Sequence, residues 1–305
     1  MATTMAAPVA NSISLATKFV PILDDIYKRE SLTSVLDTAN ERVQFIGAQT
    51  VKIFKVDVDG LGNYSRNAGF VPGSSDGTWE TLAIERDRGR SFSIDVMDND
   101  ESLGMALAAT LSEFERVQVV PEIDAYRAAK FAANAGTTVT ATLSSSDDVA
   151  DLIQTAEAAM DDDEVPAAGR ILFINPTIYK YLKGDITRFT QNGDPNVNGE
   201  VEIYDNMRVI KVPSARFNTQ VTLANPSTNT DAGGYSATGV DINFMIVHPS
   251  AVLQVIKHQI PRLFSPEVNQ EADAWKLNYR VYHDCWVLAN KTDGIYVHKK
   301  ASSTT

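Results

Sequence analysis

The stretch VKIFKVDVDGLGNYSRNAGFVPGSSDGTWETLAIERDRGRSFSIDVMD, residues 51–98, decides how the rest of the chain is read. Phe54, Val56 and Val58 alternate with Lys55, Asp57 and Asp59, the period of two that marks a half-polar strand. Leu82 and Ile84, then Phe92, Ile94 and Val96, alternate in the same way against Glu85, Ser91, Ser93 and Asp95. Between the two arms lies Gly60 to Gly77, punctuated by Gly62, Gly69, Pro72 and Gly73. Hairpin loops normally take about two to five residues, and inserts far longer than that are usually functional or disordered. The pattern implies an arm that projects and finds its packing partner on another chain. Trp79, near the tip, and Phe70, within it, are the candidate interface anchors; local packing is the alternative for Trp79. Arg86, Arg88 and Arg90 share the face of Leu82 and Ile84 on the returning arm. They read either as a solvated edge guarded by charge or as salt bridges to an acidic neighbouring subunit.

Downstream, Asp98, Asn99 and Asp100 offer caps for a long helix carrying Leu103, Leu107, Leu111, Phe114, Val117, Ile123, Tyr126, Ala129 and Phe131. Pro121 inside that run predicts a kink or a fresh start, because an interior proline costs about 3 kcal/mol. Ser145 with Asp148 predicts a capping box for a helix with Val149, Leu152, Ile153, Ala156 and Met160 on one face, ending at Asp161 to Glu164 and Pro166. Ile171 to Ile174 is a continuous apolar run of buried-strand length, and Ile242 to Val247 reads as another buried strand. Asn175-Pro176 starts a helix, and Val209, Ile210 and Val212 form a strand. Residues 221–239 read as a loop and Ala251 to Ile256 as a short helix. Leu277, Tyr279 and Val281 alternate, and Trp286 to Ala289 with Ile295 to Val297 predict an antiparallel hairpin across Thr292-Asp293-Gly294. Upstream, the first twenty residues read as a flexible arm, followed by short helical pieces at Ile22, Ile26, Leu32, Val35 and Leu36. Mixed helices and strands with antiparallel pieces make the fold class α+β.

Composition narrows the function. Of 305 residues 44% are hydrophobic and 22% charged, enough for a sizeable core, and nothing approaches the roughly 18 consecutive apolar residues of a membrane span. No basic region opens the chain, and Pro8, Asn11 and Ser12 interrupt its small residues, so no secretory signal is expected. A net charge of −12 argues against a sequence reader of duplex DNA. The single cysteine, Cys285, excludes an intrachain disulfide framework. Phosphate-binding glycine motifs and the G-x-S-x-G elbow are missing. None of His248, His258, His283 and His298 sits in H-E-x-x-H. His283-Asp284-Cys285 resembles a metal or Cys/His pair, but in a strand His283 and Cys285 share a face and read as packing residues. Asp95, Asp98, Asp100 and Glu101 read as helix capping, and Asp161 to Glu164 as a solvated turn. No catalytic residue, cofactor site or metal site is expected.

The run Phe92-Ser-Ile-Asp-Val-Met-Asp-Asn-Asp-Glu101, then Val119-Val-Pro-Glu-Ile-Asp-Ala-Tyr-Arg127 on the long helix, resembles the major capsid proteins of tailed bacteriophages, with their HK-97-like fold. The order of arm, extended loop, long helix and central domain is similar over almost the whole chain. The resemblance implies an N-terminal arm with short helices (1–50), an extended two-stranded loop over a neighbouring subunit (51–98) and a peripheral domain with a spine helix (99–142). An axial domain (143–240) and a return to the peripheral domain (241–305) complete it. It implies a homo-oligomer: pentamers and hexamers of an icosahedral shell around double-stranded genomic DNA, which is touched non-specifically. It also implies a separate scaffolding protein, or none, and a portal as partners, no membrane, and a virion location after assembly in the host cytoplasm. Some relatives are welded by an isopeptide bond from a lysine in the extended loop. No lysine lies between Val56 and Val96, so covalent cross-linking through this loop is not expected. The arm is short and starts at Met1, so no fused scaffold is expected either. The alternatives are an encapsulin-type compartment shell and an α+β enzyme with an unrecognised site.

Overall fold

The computed structural model describes residues 31–37, 44–45, 50–67, 69–97, 111–144, 147–189, 201–226, 231–269 and 271–302. The expected N-terminal arm, the helical positions Ile22 and Ile26, the caps at Asp98 to Asp100, Glu101, Leu103, Leu107 and Ser145 lie outside them. Leu32 to Leu36 form a short strap with a single tight turn, and Leu36 is buried in the main core.

A two-residue strand β1 (Gln44–Phe45) borders β2 (Thr50–Val58), which pairs antiparallel with β3 (Ser75–Ala83). Phe54 stands opposite Trp79 and Val56 opposite Gly77, so the irregular tip is residues 59–74 and Gly77 belongs to the strand. A Cβ on Gly77 would meet the Phe54 ring at 2.6 Å: this glycine makes room for an aromatic ring. The returning arm then divides. After Ile84 and Glu85 the chain leaves the hairpin as β4 (Arg86–Asp95), which pairs elsewhere.

The long helix shows no break at Pro121. Residues 111–114 are helical, Glu115–Val119 form a π turn, and α1 (Val120–Ala133) continues from it. Proline lacks an N–H for the carbonyl four residues back, and its ring crowds that carbonyl. The wider turn immediately before Pro121 accommodates both deficits without ending the helix. Strand β5 (Thr137–Thr140) follows. Helix α2 (Val149–Asp162) is capped by Asp148, whose side chain accepts from the Asp151 amide at 3.1 Å. The N-cap is Asp148; the Ser145 half of the expected capping box lies outside the described residues. At its other end Asp161 to Glu164 are exposed, as expected of a solvated segment, and Asp161 also accepts from the buried Arg170 guanidinium at 2.5 Å. Arg170 also donates to the carbonyls of Val165 and Pro166 in the segment that follows the helix.

Strand β6 (Ile171–Ile174), helix α3 (Pro176–Phe189), the short β7 (Ile203–Tyr204) and β8 (Met207–Lys211) come next. The region expected as a plain loop holds a small hairpin, β9 (Val221–Leu223) with β10 (Tyr235–Ala237). After β11 (Ile242–Val247), the expected short helix at Ala251 to Ile256 is instead the start of β12 (Val252–Phe264). A short apolar run cannot be told from a helix by period alone; Val252, Val255 and Ile256 are β-branched, and tertiary pairing decides. Strand β13 (Ala274–Val287) pairs along β12, and β14 (Ile295–Lys299) is the last strand. The expected hairpin across Thr292-Asp293-Gly294 does not form, because β13 and β14 lie in different sheets.

Six strands run in the order β5-β14-β11-β6-β8-β7, and three in the order β12-β13-β4. Along β6, Ile171 and Phe173 enter one core with Phe131, Phe217 and Val297, while Leu172 and Ile174 enter another with Ile153, Met160 and Leu182. Both faces of the large sheet are thus covered, which is why β6 reads as an unbroken apolar run and β11 as one broken only by Asn243. A third core joins Val120 and Ile123 of α1 to Leu277, Tyr279 and Val281 of β13. No helix among the described residues is long and apolar enough to cross a membrane.

Candidate assembly interface

The hairpin β2–β3 has two unlike faces. Lys55, Asp57, Asp76, Thr78 and Glu80 share one, where Lys55 and Glu80 form an ion pair of 2.7 Å. Phe54, Val56, Val58 and Trp79 share the other, and all four are exposed. The tip adds Leu61, Tyr64, Phe70 and Val71. Eight of the thirteen exposed large hydrophobic side chains among the described residues therefore lie on this one hairpin, where scattered single ones would need no explanation. Rings pair locally, Phe54 with Trp79 at 5.0 Å and Tyr64 with Phe70 at 4.9 Å. That local pairing leaves Trp79 57% and Phe70 86% exposed. Fully burying such a side chain is worth about 1.5–3 kcal/mol, so the face is a store of association energy.

The base of the hairpin is anchored. Val51 and Ile84 are buried with Leu253 and Val255, and Ile53, Leu82, Tyr282 and Trp286 pack around them. The apolar residues of the polar-sided face thus find partners near the body, whereas those of the opposite face stay exposed among the described residues.

The three arginines do not join this patch. Burial alternates along β4 so that Arg86, Arg88 and Arg90 point to the same side as Phe92 and Ile94, inward. Arg88 makes a fork to both oxygens of Glu122, at 2.7 and 3.1 Å, and donates to the carbonyl of Ala224. Arg90 donates to the Asp231 carbonyl at 2.8 Å, and Arg86 lies over the Tyr126 ring, 5.1 Å from its centroid. These contacts are within one subunit, which corrects the reading of a solvated edge. The apolar residues that continue the same face, Phe92 and Ile94, were the signal that it turns inward. Arg88 and Arg90 border a cleft of about 920 Å³ between β4, the long helix, residues 225–226 and residues 232–234, with Phe92, Phe114 and Tyr279 on its wall.

His283-Asp284-Cys285 is buried throughout. Burial pushes the His283 imidazole down to about 3, helped by Arg127, Arg86 and Arg88, and it packs edge-on against Tyr126. Burial likewise pushes the Cys285 thiol up to about 12, so it is held as an uncharged thiol. No three metal-ligating side chains converge among the described residues. The residue between them, Asp284, is different: its carboxylate accepts from Tyr126 Oη at 2.8 Å and from the Glu85 and Cys285 amides at 2.9 and 2.8 Å. A second buried carboxylate, Asp124 on α1, takes Ser31 Oγ, Thr33 Oγ1 and the amides of Leu32 and Thr33, clipping the strap to the helix. Neither role is visible in sequence, because each joins residues about 90 to 200 positions apart.

Residues 79–297 match the family model described as phage capsid protein. No curated protein sequence matches the chain. Among solved structures, the capsid of cyanophage P-SCSP1u is similar over 88% of this chain and 87% of its own, at 14% identity and a TM-score of 0.60. A chain of Mycobacterium phage Che8 is 17% identical, over 83% of this chain and 85% of its own, with a TM-score of 0.53. A virus-like particle from Pyrococcus furiosus is 14% identical, over 92% and 98%, with a TM-score of 0.54. At these identities the structural likeness is one of fold.

Proposed function

Because the chain belongs to the phage capsid protein family, we propose that its hairpin β2–β3 lies over a neighbouring subunit and that Trp79 and Phe70 anchor it there. The protein is a capsid shell protein and a component of the virion. The exposed apolar face of the hairpin carries the finer reading: eight large apolar side chains in water are stable only if a partner covers them. The receiving surface on the next copy differs from the hairpin itself, so the contact is head-to-tail and generates rings when its rotation closes. Pentamers and hexamers built this way would close an icosahedral shell around the genome, held by many interfaces of roughly 1,200–2,000 Å² each.

In this reading residues 51–98 supply the extended loop, 99–142 and 241–305 the peripheral domain, and 143–240 the axial domain. With no lysine between Val56 and Val96, the loop is held without a covalent weld from its tip. Denatured particles should then run as single chains on a gel. At a net charge of −12 the shell would touch its DNA non-specifically through counterions, with a separate scaffolding protein and a portal guiding assembly in the host cytoplasm. The three arginines are assigned to holding β4 within its own subunit, in place of the intersubunit salt bridges. A compartment shell with protein cargo is the second reading, which the same fold would serve. The contents of purified particles decide between them.

The test is the double variant Phe70→Asp, Trp79→Asp, examined by negative-stain microscopy and light scattering. A folded subunit that forms no shells, tubes or rings is expected. Shells of unchanged diameter would show that the hairpin face is not the interface.

A further inference from the structure

Between the end of β3 at Ala83 and the start of β4 at Arg86, the hairpin leaves the body through two residues, Ile84 and Glu85. Both are gripped. Tyr282 Oη donates to the Ile84 carbonyl at 2.9 Å, and the Glu85 amide donates to Asp284 Oδ2 at 2.9 Å. The other oxygen of Asp284 takes Tyr126 Oη at 2.8 Å, which ties the same carboxylate to α1. Asp284 is 2% exposed, and a buried charge is tolerated only where donors surround it, so its three donors hold one another in place.

We propose that Asp284 and Tyr126 form a hinge pin that sets the angle at which the hairpin leaves the subunit, and through that angle the curvature of the shell. They are positioning residues, remote from the apolar face itself. The leverage is large. Nine residues of β2 span about 26 Å, so an error of roughly ten degrees at the base moves the tip by about 5 Å. A displacement of that size is enough to take Phe70 out of a pocket. The hinge also gives the His283-Asp284-Cys285 segment a purpose that is neither metal binding nor catalysis: its flanking residues pack, and its central carboxylate transmits geometry from the helix to the arm. The link to curvature rests on the hairpin being the assembly arm; the pin itself is tested without assembly.

Spin labels at Ser74→Cys and Gln118→Cys report the hairpin's position relative to the long helix in the full-length free subunit; Cys285 is buried and stays unlabelled. The parent should give a narrow distance distribution. Asp284→Asn and Tyr126→Phe should each broaden it, with exchange of the Glu85 amide faster by about tenfold in Asp284→Asn and less in Tyr126→Phe. If Asp284→Asn does not fold, Tyr126→Phe decides alone. A distribution as narrow as the parent's in every variant that folds overturns the pin. In assembly reactions the folded variants should give shells of mixed diameter, and uniform shells of parental size overturn the link to curvature. If the tip variants Phe70→Asp and Trp79→Asp leave assembly intact, the arm reading falls, while the label distances still report on the hinge.

Discussion

Strands β11 and β2 are both rich in large apolar side chains, and the two meet opposite fates. Ile242–Val247 is buried at all six positions, because helices cover one face of its sheet and the strap and α1 close the other. The outer half of Thr50–Val58 keeps Phe54, Val56 and Val58 exposed. The difference lies in the pattern of the intervening residues. In β11 they are apolar too except for Asn243, whose buried amide bonds the Ala141 carbonyl and His298, so both faces need cover and the subunit supplies it. Lys55 and Asp57 in β2 mark one face for water and leave a single apolar face, for which the subunit has no partner. An alternating strand whose apolar side stays open is what the proposed contact with a neighbouring subunit requires, just as a fully buried strand requires a closed interior.

The largest effect should come from cutting into the closed region. Phe173 is buried in the main core, and Phe173→Ala should cost about 3–5 kcal/mol, enough to unfold a marginal subunit. Trp79→Ala removes a ring of similar size and should change the free subunit by about 0.5 kcal/mol or less. Its loss should appear in assembly, where an anchor worth about 2 kcal/mol raises the concentration needed for shells roughly thirtyfold. Chemical denaturation of the free subunits, with light scattering of assembly reactions, separates the two. A Trp79→Ala subunit as unstable as Phe173→Ala would erase the distinction between the regions.

A smaller effect should follow pH. His283 is neutral in the native state, with its pKa lowered to about 3, while an unfolded histidine titrates near 6.5. Below pH 6.5 the unfolded chain binds a proton that the folded chain refuses, so stability from this group falls as pH falls toward 3 and is level above about 6.5. Between pH 6.5 and 5 the loss should be about 2 kcal/mol. Denaturation curves across that range should show the slope in the parent and a flatter one in His283→Gln. An equal slope in both would place the acid sensitivity elsewhere.

What could be read in advance follows from the range of the forces. The buried runs at Ile171 to Ile174 and Ile242 to Val247, and the alternating arm at Phe54 to Val58, are local patterns, and each forms the expected strand. Trp79 and Phe70 were legible as aromatics in a segment too polar and glycine-rich to bury them. Failures came where distant residues choose. Val252 to Ile256 is extended because β13 lies alongside it, and Ile295 leaves the expected hairpin because β11 and β5 claim its strand. Alternation placed the arginines on one face correctly, yet which face turns inward depends on the helix and on residues 224–234. The order of the parts was legible mainly through the resemblance to phage capsid proteins, which carries topology that local pattern does not.

The smallest effect tests whether the closed region is independent of the open one. Glu164 follows α2 with φ of 58°, in the left-handed region that glycine adopts freely. The bonds of Glu164 N to the Asp161 carbonyl and of Val165 N to the Met160 carbonyl, both 3.0 Å, form the usual glycine-ended helix stop. Holding a side chain there costs about 1–2 kcal/mol, and the acid also opposes the negative end of the helix. Glu164→Gly removes both penalties, and the added freedom of the unfolded chain returns about 0.5–1 kcal/mol. The net should be a stabilisation of about 1 kcal/mol, seen as a rise of about 2 °C in Tm. Because the hairpin is untouched, the concentration at which shells form should stay the same. A changed assembly threshold would mean that the two regions are coupled through the body of the subunit.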